Sequence, residues 1–567
     1  MNNRFFLALV LTAIVIVVTP RLFPTTAFKR TPVATAIDSA SLRGTTAPQL
    51  PVETASPSAV EGGPKSSTVT ALNTAAVGVE TTTVHSPHAS YGFSSRGGVP
   101  VSIALDSYPS HRKGLRGLRG QSVELIGTHR GLLSYQLISG RDTIHLDTVP
   151  LRVEQQSGSG GSVAYTGDAG GHRIRLVYAV PADTIDSYLV HVTATVQNVT
   201  PGSVLVIGLP RTLQPNEADT VDDLNHLAVS YRSHGEINSV AFSKLDSTET
   251  RVEGGPINWV AIRNKYFVVA YRATKTPFSA MRLQGVGRTG KIAAEMQGAV
   301  ALPIAANGAA SFDIYAGPQS FERLQHLGGD LDQVNPYAGF LHGVVQPFTT
   351  IVMKALLWMK RTTQLNYGWV LVLFGVMIRL ILWPLNQGAM RTSMKMQRLQ
   401  PELQALQKKY SDDPKKQQEA VMKVYKDHGM SPLSPLMGCL PMLLPMPVLF
   451  ALYQVFGNTI EFRGVSFLWL ADISQRDPYY ITPLLMGASM FVMSWIGMRN
   501  APPNPQAKMM SYMMPVMLTV LFLNFASGLN LYYAVQNIAA IPQQWLLARE
   551  RGKQTPVLSG SLEKRRS

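Results

Sequence analysis

The sequence predicts a two-part chain: an α-helical polytopic membrane protein with six transmembrane helices, carrying an all-β domain between the first and second. Three observations carry this. Beyond about residue 336 the chain gathers long apolar runs and most of its methionines. Residues 91–330 instead show short alternating runs broken by turn signals. Lys and Arg cluster in some connections and are sparse in others, the pattern of a positively charged cytoplasmic side.

The whole-chain numbers bound the partners. With 567 residues, two or more domains fit. A mean hydropathy of +0.06 averages two unlike parts. The net charge of +16 suits a phosphate-bearing partner, anionic lipid or RNA. The single cysteine, Cys439, excludes an intrachain disulfide and any cysteine-cluster metal site. It sits in an apolar run and is expected to be a small buried hydrophobe.

Residues 1–24 hold an apolar run, Phe5–Val18, behind Arg4. Two readings stand, a cleaved signal peptide or an uncleaved signal anchor; the missing A-x-A and the following Pro20, Arg21 and Pro24 favour the anchor. Residues 25–90 are rich in Thr, Ala, Ser, Pro and Val, and read as a disordered linker.

Residues 91–330 read as many short strands, most simply a sandwich. In Ser187–Gln197, Val190, Val192, Ala194 and Val196 share one face; Thr143–Val153 reads as another strand. Gly285–Lys291 (GVGRTGK) mimics a phosphate loop but ends in Ile292, where Ser or Thr should hold magnesium, and reads as a hairpin turn. His111, His172, His191 and His226 show no metal-binding spacing, and no catalytic constellation stands out. Asn198-Val199-Thr200 fits a glycosylation sequon with nothing else to support it.

Residues 336–362 place Phe348, Ile351, Val352, Ala355, Leu356 and Met359 at helical spacing, an amphipathic helix for the membrane interface. The second span, 366–386, opens near Asn366, closes at Trp383-Pro384 and carries Arg379. A guanidinium cannot shed its charge, and placing it at mid-membrane costs about 3 kcal/mol on insertion scales. Either it serves a substrate, partner or water, or it snorkels to the nearer surface about one turn away.

Residues 387–434 read as a cytoplasmic hairpin of two helices. Leu399, Leu403, Leu406 and Tyr410 form the first seam; Asp413 and Pro414 open the second helix, whose seam is Ala420, Val421, Val424 and Tyr425. Arg391, Lys395, Arg398, Lys408 and Lys409 offer a docking surface, or merely a solvated face. The third span, 435–458, contains Pro441, Pro445 and Pro447, with Gln454 and Asn458 near its end. Spans 479–498, 509–525 and 529–548 follow; the last two meet at Ala526-Ser527-Gly528. The sixth puts Asn530, Tyr533 and Asn537 on one face with Gln536 beside it, a stripe expected to look inward. Residues 549–567 form a basic tail. Positive-inside then puts both termini in the cytoplasm and the β domain outside.

The motifs GWVLVLFGVMIRLILWPL (368–385), MQRLQPELQALQKKY (396–410), SPLMGCLPMLLPMP (434–447), DPYYITPLLMG (477–487) and SGLNLYYAVQN (527–537), in this order, resemble the YidC/Oxa/Alb family of membrane protein insertases. The β domain is similar to the periplasmic domain of Gram-negative members, a supersandwich like the sugar-mutarotase folds; GGPINWVAIRNKYFVVAYRA (254–273) fits more loosely. The resemblance implies a five-helix insertase core, an inner-membrane location, and a hydrophilic groove open to cytoplasm and lipid with Arg379 in it. The substrate groove is expected to be lined by Arg379, Gln454, Asn530, Tyr532, Tyr533, Gln536 and Asn537. The implied partners are nascent membrane proteins, the lipid bilayer, the Sec translocon, the ribosome and the signal-recognition-particle receptor, with a monomeric core and neither cofactor, metal nor catalytic residue. Pro445 stands where many members have Gln, so one polar groove contact is expected to be absent or moved.

The expected mechanism brings a nascent chain's polar segment into a hydrated groove, where Arg379 attracts its carboxylates, while the adjoining apolar segment partitions into lipid. Two other classes compete. A small-solute transporter would show paired half-repeats, and none is visible. A membrane-anchored carbohydrate-binding protein would need a constellation in the β domain.

Overall fold

A computed structural model of the chain describes residues 79–112, 121–126, 132–156, 161–183, 186–247, 250–289, 292–335, 342–384, 387–388, 413–427, 446–499 and 505–553, with 399, 402–403, 405–406 and 409–410. The expected anchor over 1–24, most of the linker, Cys439, Pro441, Pro445 and the basic tail beyond 553 lie outside these residues.

The β domain begins with β1 (Thr81–His85), β2 (Ala89–Ser94), β3 (Val99–Pro109) and β4 (Ser122–Glu124), a four-stranded antiparallel sheet in that order. The linker boundary at 90 is therefore too late: Thr81–His85 pairs with Ser94–Ser90 and alternates exposed and buried, which composition alone hid. The second sheet has fourteen strands. Its path starts at β6 (Asp142–His145) and β5 (Ser134–Ser139), then β11 (Val204–Gly208), β17 (Ile292–Pro303) and β16 (Phe278–Thr289). It continues through β14 (Arg251–Arg263), β15 (Phe267–Ala273), β18 (Ala309–Pro318), β10 (Leu189–Val196), β9 (His172–Ala179), β8 (Ser162–Ala169) and β7 (Arg152–Gln156). β12 (Ala228–Ser233) branches from β14 and pairs with β13 (Glu236–Ala241).

A second expectation in this domain changes, and a third holds. Thr143–Val153 is not one strand: the chain turns through a 3-10 helix at Leu146–Thr148 between β6 and β7, with Leu146 fully buried. At the phosphate-loop mimic, Thr289 pairs with Ile292 across the end of the β16–β17 hairpin. The strand Leu189–Val196 does alternate, with Val190, Val192, Ala194 and Val196 buried.

The two sheets share one apolar core. Phe93 of β2 packs on Tyr178 of β9 at 4.8 Å, and Tyr108 of β3 meets Phe267 of β15 edge-on at 5.7 Å. The buried hydroxyl of Tyr178 donates to the Gly98 carbonyl at 2.6 Å. Gly98 has φ of +60°, and a Cβ there would lie 2.9 Å from Leu151 and 3.2 Å from Tyr165, so only glycine fits under these side chains.

Helices α1 (Thr220–Asn225) and α2 (Phe321–Leu327) close the β domain. The helical part comprises α3 (His342–Thr363), α4 (Tyr367–Ile381), α5 (Pro414–Asp427), α6 (Met446–Asn458), α7 (Ile481–Met498), α8 (Pro505–Phe522) and α9 (Ser527–Lys553). Asn366 caps α4 by accepting from the Gly368 N–H at 2.9 Å. Asp413 does the same for α5, accepting from Lys415 and Lys416, each at 3.2 Å. On α3 the expected apolar face divides: Val352, Leu356 and Met359 are buried, while Phe348 and Ile351 are exposed. Val352, Leu356 and Met359 join a second apolar core with residues of α4, α6 and α9.

Among the described residues, α7 is the one helix long and apolar enough to cross a membrane alone. Val345–Thr363 and Tyr367–Ile381 pass that test together but bend by 118°, and Lys508–Phe522 is a shorter apolar helix.

The segment 459–478 binds the β domain to the helices. Ile460 enters the β-domain core. Arg463 donates to Glu217 at 2.7 Å and to the Pro109 carbonyl at 2.9 Å, with its guanidinium 5.3 Å from the Phe267 ring. Tyr266, at the β14–β15 turn, donates to the Gly457 carbonyl at 3.3 Å.

Candidate functional site

Arg379 lies where α4 meets α9, and α7 packs on α9. α4 and α9 run in the same direction: Leu371 lies against Gly528, Gly375 against Val535, and Arg379 against Gln543. α7 flanks α9, with Ser489 beside Asn537 and Gly497 beside Gln544. Small residues allow the approach. A Cβ on Gly375 would lie 3.1 Å from Val535, and one on Gly528 would lie 3.1 Å from the Ile473 carbonyl. The start of α9 is pinned by the 459–478 segment, where Ser527 N–H donates to Gln475 at 2.7 Å and Gly528 N–H to Ile473 at 2.9 Å. Asp477 anchors the same segment to α7, accepting from the Thr482 N–H at 2.7 Å and from Trp469 at 3.2 Å. Burial pushes the Asp477 carboxyl up, but these donors outweigh it and hold the group below the usual carboxylate range.

Arg379 is half-buried in the last turn of α4. Its Nη2 donates to Gln543 Oε1 at 2.7 Å, and Gln543 Nε2 donates to the Trp383 carbonyl at 3.2 Å. Its Nε is buried and makes no hydrogen bond among the described residues. The expected spans 366–386, 435–458, 479–498, 509–525 and 529–548 contain no Asp or Glu, and Arg379 is their one charged residue. Among the described residues the cation thus has a neutral partner rather than a counter-ion.

The other expected groove residues are distributed rather than gathered around it. Gln536 donates to Tyr532 at 2.7 Å and to the Gly375 carbonyl at 3.3 Å, one turn before Arg379 on α4. Tyr532 stacks among Phe374, Phe456 and Tyr533, with centroids 5.4–6.0 Å away. Tyr533 meets Phe522 edge-on at 5.7 Å. Asn537 donates to Ser489 at 3.2 Å, and Asn530, fully buried, donates to the Phe522 carbonyl at 3.1 Å while its Oδ1 makes no hydrogen bond among the described residues. Gln454 accepts from Asn458 at 2.6 Å within α6. Of the hairpin cations, Arg391, Lys395, Arg398 and Lys408 lie outside the described residues; Lys409 is exposed, with its ammonium 5.4 Å from the Tyr410 ring.

Gln543 is the residue that sequence reasoning missed. It is buried, and it stands seven positions, two helical turns, after Gln536 on the same inward stripe. Extending the stripe past Pro542 would have found it.

Apolar helices joined to a large β domain define a class: a membrane protein with an extramembrane β domain. Residues 81–351 match the family described as the YidC periplasmic domain, and residues 358–554 the family described as the 60Kd inner membrane protein. The membrane protein insertase YidC of Geobacter sp. (strain M21) is 30% identical over 463 residues, 80% of this chain and 82% of that protein. Its counterpart in Nitratidesulfovibrio vulgaris (strain DSM 19637 / Miyazaki F) is 31% identical over 409 residues, 70% of this chain and 72% of that protein. A crystal structure of an active YidC insertase with its first transmembrane domain resolved shares 19% identity, covering 82% of this chain and 92% of its own, with a TM-score of 0.33. The chain belongs to the YidC family of membrane protein insertases.

Proposed function

We propose that this insertase brings the polar segment of a nascent membrane protein into the space beside α4 and α9, where Arg379 attracts its carboxylates. One observation supports this above the rest: Arg379 is the one charge in the five expected spans 366–548, and its described partner is a neutral amide. At an effective dielectric of ~20, a carboxylate ~4 Å from a guanidinium gains about 4 kcal/mol before desolvation. That offsets part of the cost of drawing a polar segment into the membrane. The adjoining apolar segment then leaves sideways into lipid, gaining ~25 cal/mol per Å² without nucleotide hydrolysis or a cofactor.

The topology that goes with this reading has six spans, cytoplasmic termini, a five-helix core and the β domain in the periplasm. In it α3 lies at the outer interface, and the 387–434 hairpin faces the cytoplasm, where the ribosome, the signal-recognition-particle receptor and the Sec translocon are its partners. Tyr532 and Gln536 sit one turn from Arg379 and extend the polar surface; Asn530 and Asn537 join helices to one another. Depletion of the protein, with rescue by wild type or Arg379→Ala, tests the reading through protease protection of a two-span substrate with an acidic outer segment. Rescue by wild type alone supports it; equal rescue by Arg379→Ala removes the role of the arginine.

A further inference from the structure

Gln543 occupies an unusual place in this site. Its side chain is nearly fully buried, and both of its amide atoms are spent on the end of α4. The carbonyl accepts from Arg379 at 2.7 Å, and the amide nitrogen donates to the Trp383 backbone at 3.2 Å. The residue therefore ties the guanidinium to its own helix terminus and opposes the alternative in which Arg379 extends toward the surface marked by Trp383 and Pro384. The tie is made by a neutral acceptor. A neutral amide holds a guanidinium more weakly than a carboxylate does, because the charge-assisted pair is shorter and roughly twice as strong. The buried Arg379 Nε, without a hydrogen bond among the described residues, leaves a further donor direction on the same group unused there. A carboxylate is the ligand that satisfies a guanidinium through two N–H groups at once.

We infer that Gln543 is a positioning residue for insertion: it holds Arg379 in place while the site is empty and yields the guanidinium to a substrate carboxylate. This rests on the proposed attraction of acidic segments by Arg379. The acceptor must be strong enough to keep the cation from snorkelling, yet weaker than the incoming carboxylate. Glutamate at the same position would be an internal competitor that never leaves, since its chain is the same length and its charge opposite. Leucine would give no hold at all.

The experiment compares the insertion of two otherwise identical two-span substrates, one with an acidic and one with a neutral outer segment, in full-length protein. The variants are Gln543→Glu, Gln543→Leu, Arg379→Ala and the two doubles, with thermal unfolding in detergent as the check of folding. Gln543→Glu is expected to lower the acidic-to-neutral ratio at least about tenfold, to the level of Arg379→Ala, and Gln543→Leu to lower it about threefold or more. Neither should change the ratio by more than about twofold once Arg379 is Ala, because Gln543 acts through the arginine. A role limited to helix packing would lower both substrates alike and leave the ratio unmoved. The inference is overturned if both Gln543 variants keep the wild-type ratio while Arg379→Ala loses it. If Arg379→Ala also keeps it, the attraction itself is wrong, and this inference falls with it. Should Gln543→Glu fail to fold, the Gln543→Leu ratio alone decides.

Discussion

Arg463→Met should detach the β domain from the helices at a cost that the structure allows to be worked out. Arg463 and Glu217 are both nearly fully buried, with side-chain exposures of 2% and 4%, and are paired at 2.7 Å. The guanidinium also serves the Pro109 carbonyl and faces Phe267. Burial pushes the Glu217 carboxyl up, but the neighbouring His111 and Arg463 bring it below the usual range, so it is ionised at neutral pH. Removing Arg463 leaves that charge buried, with His111 at 3.6 Å and Lys265 within electrostatic reach. Breaking such a pair from one side costs about 3–5 kcal/mol, whereas replacing both partners by apolar side chains of similar volume is near neutral. Arg463→Met, Glu217→Leu and the double variant therefore form a cycle with an expected coupling of at least about 3 kcal/mol. Denaturant unfolding in detergent, followed through the fluorescence of the fully buried Trp259, reads it. A loss below about 1 kcal/mol for Arg463→Met would refute the reasoning. It would mean that water reaches Glu217 as soon as its partner leaves.

Two other perturbations test the same frame. Glu461 accepts from the Phe321 N–H at 3.2 Å, its Oε2 is buried without a hydrogen bond among the described residues, and burial, with help from Glu322, raises its pKa from 4.5 to about 7. The folded state then holds a proton that the unfolded state releases, so stability should fall by up to about 3 kcal/mol between pH 4.5 and 7 and level off above. Glu461→Gln should flatten that slope in thermal unfolding and melt higher than wild type at pH 8. Gly375→Val should force α4 and α9 apart at Val535 and strain the Gln536–Gly375 bond, costing about 1–3 kcal/mol in detergent unfolding.

Local pattern revealed what depends on neighbours along the chain. The alternation of Val190, Val192, Ala194 and Val196 is a property of one strand with one buried face. β15 and β18 carry unbroken buried runs because other layers cover both faces, and there alternation has no meaning. The same limit applies at the site. The inward stripe of α9 was legible at Asn530, Tyr533 and Asn537, since polar residues on a membrane helix seldom face lipid. Their partners on α7 and α8 were not, because such pairings join residues far apart in sequence. Arg463 reaches farther still, to Glu217 across 246 positions and to Pro109 across 354. On α3 the helical period was legible, but Phe348 and Ile351 lie outside the packed seam, and period alone cannot rank the two sides of a broad apolar face.

The bend of 118° between Val345–Thr363 and Tyr367–Ile381 has a geometric consequence. In the proposed topology α3 is seated on the outer surface, so Asn366 marks that surface, and Arg379 follows thirteen residues on. Along a straight helix that is about 20 Å, leaving roughly 10 Å to the far side of a ~30 Å core. In that topology the charge is hung at a fixed depth from above, like a plumb weight, rather than floated at a depth chosen by the lipid. A bilayer a few ångströms thinner brings the inner headgroups up to Arg379 while leaving its distance from the outer surface unchanged. Shortening the acyl chains of a reconstituted vesicle should therefore narrow the inner barrier, not the outer one.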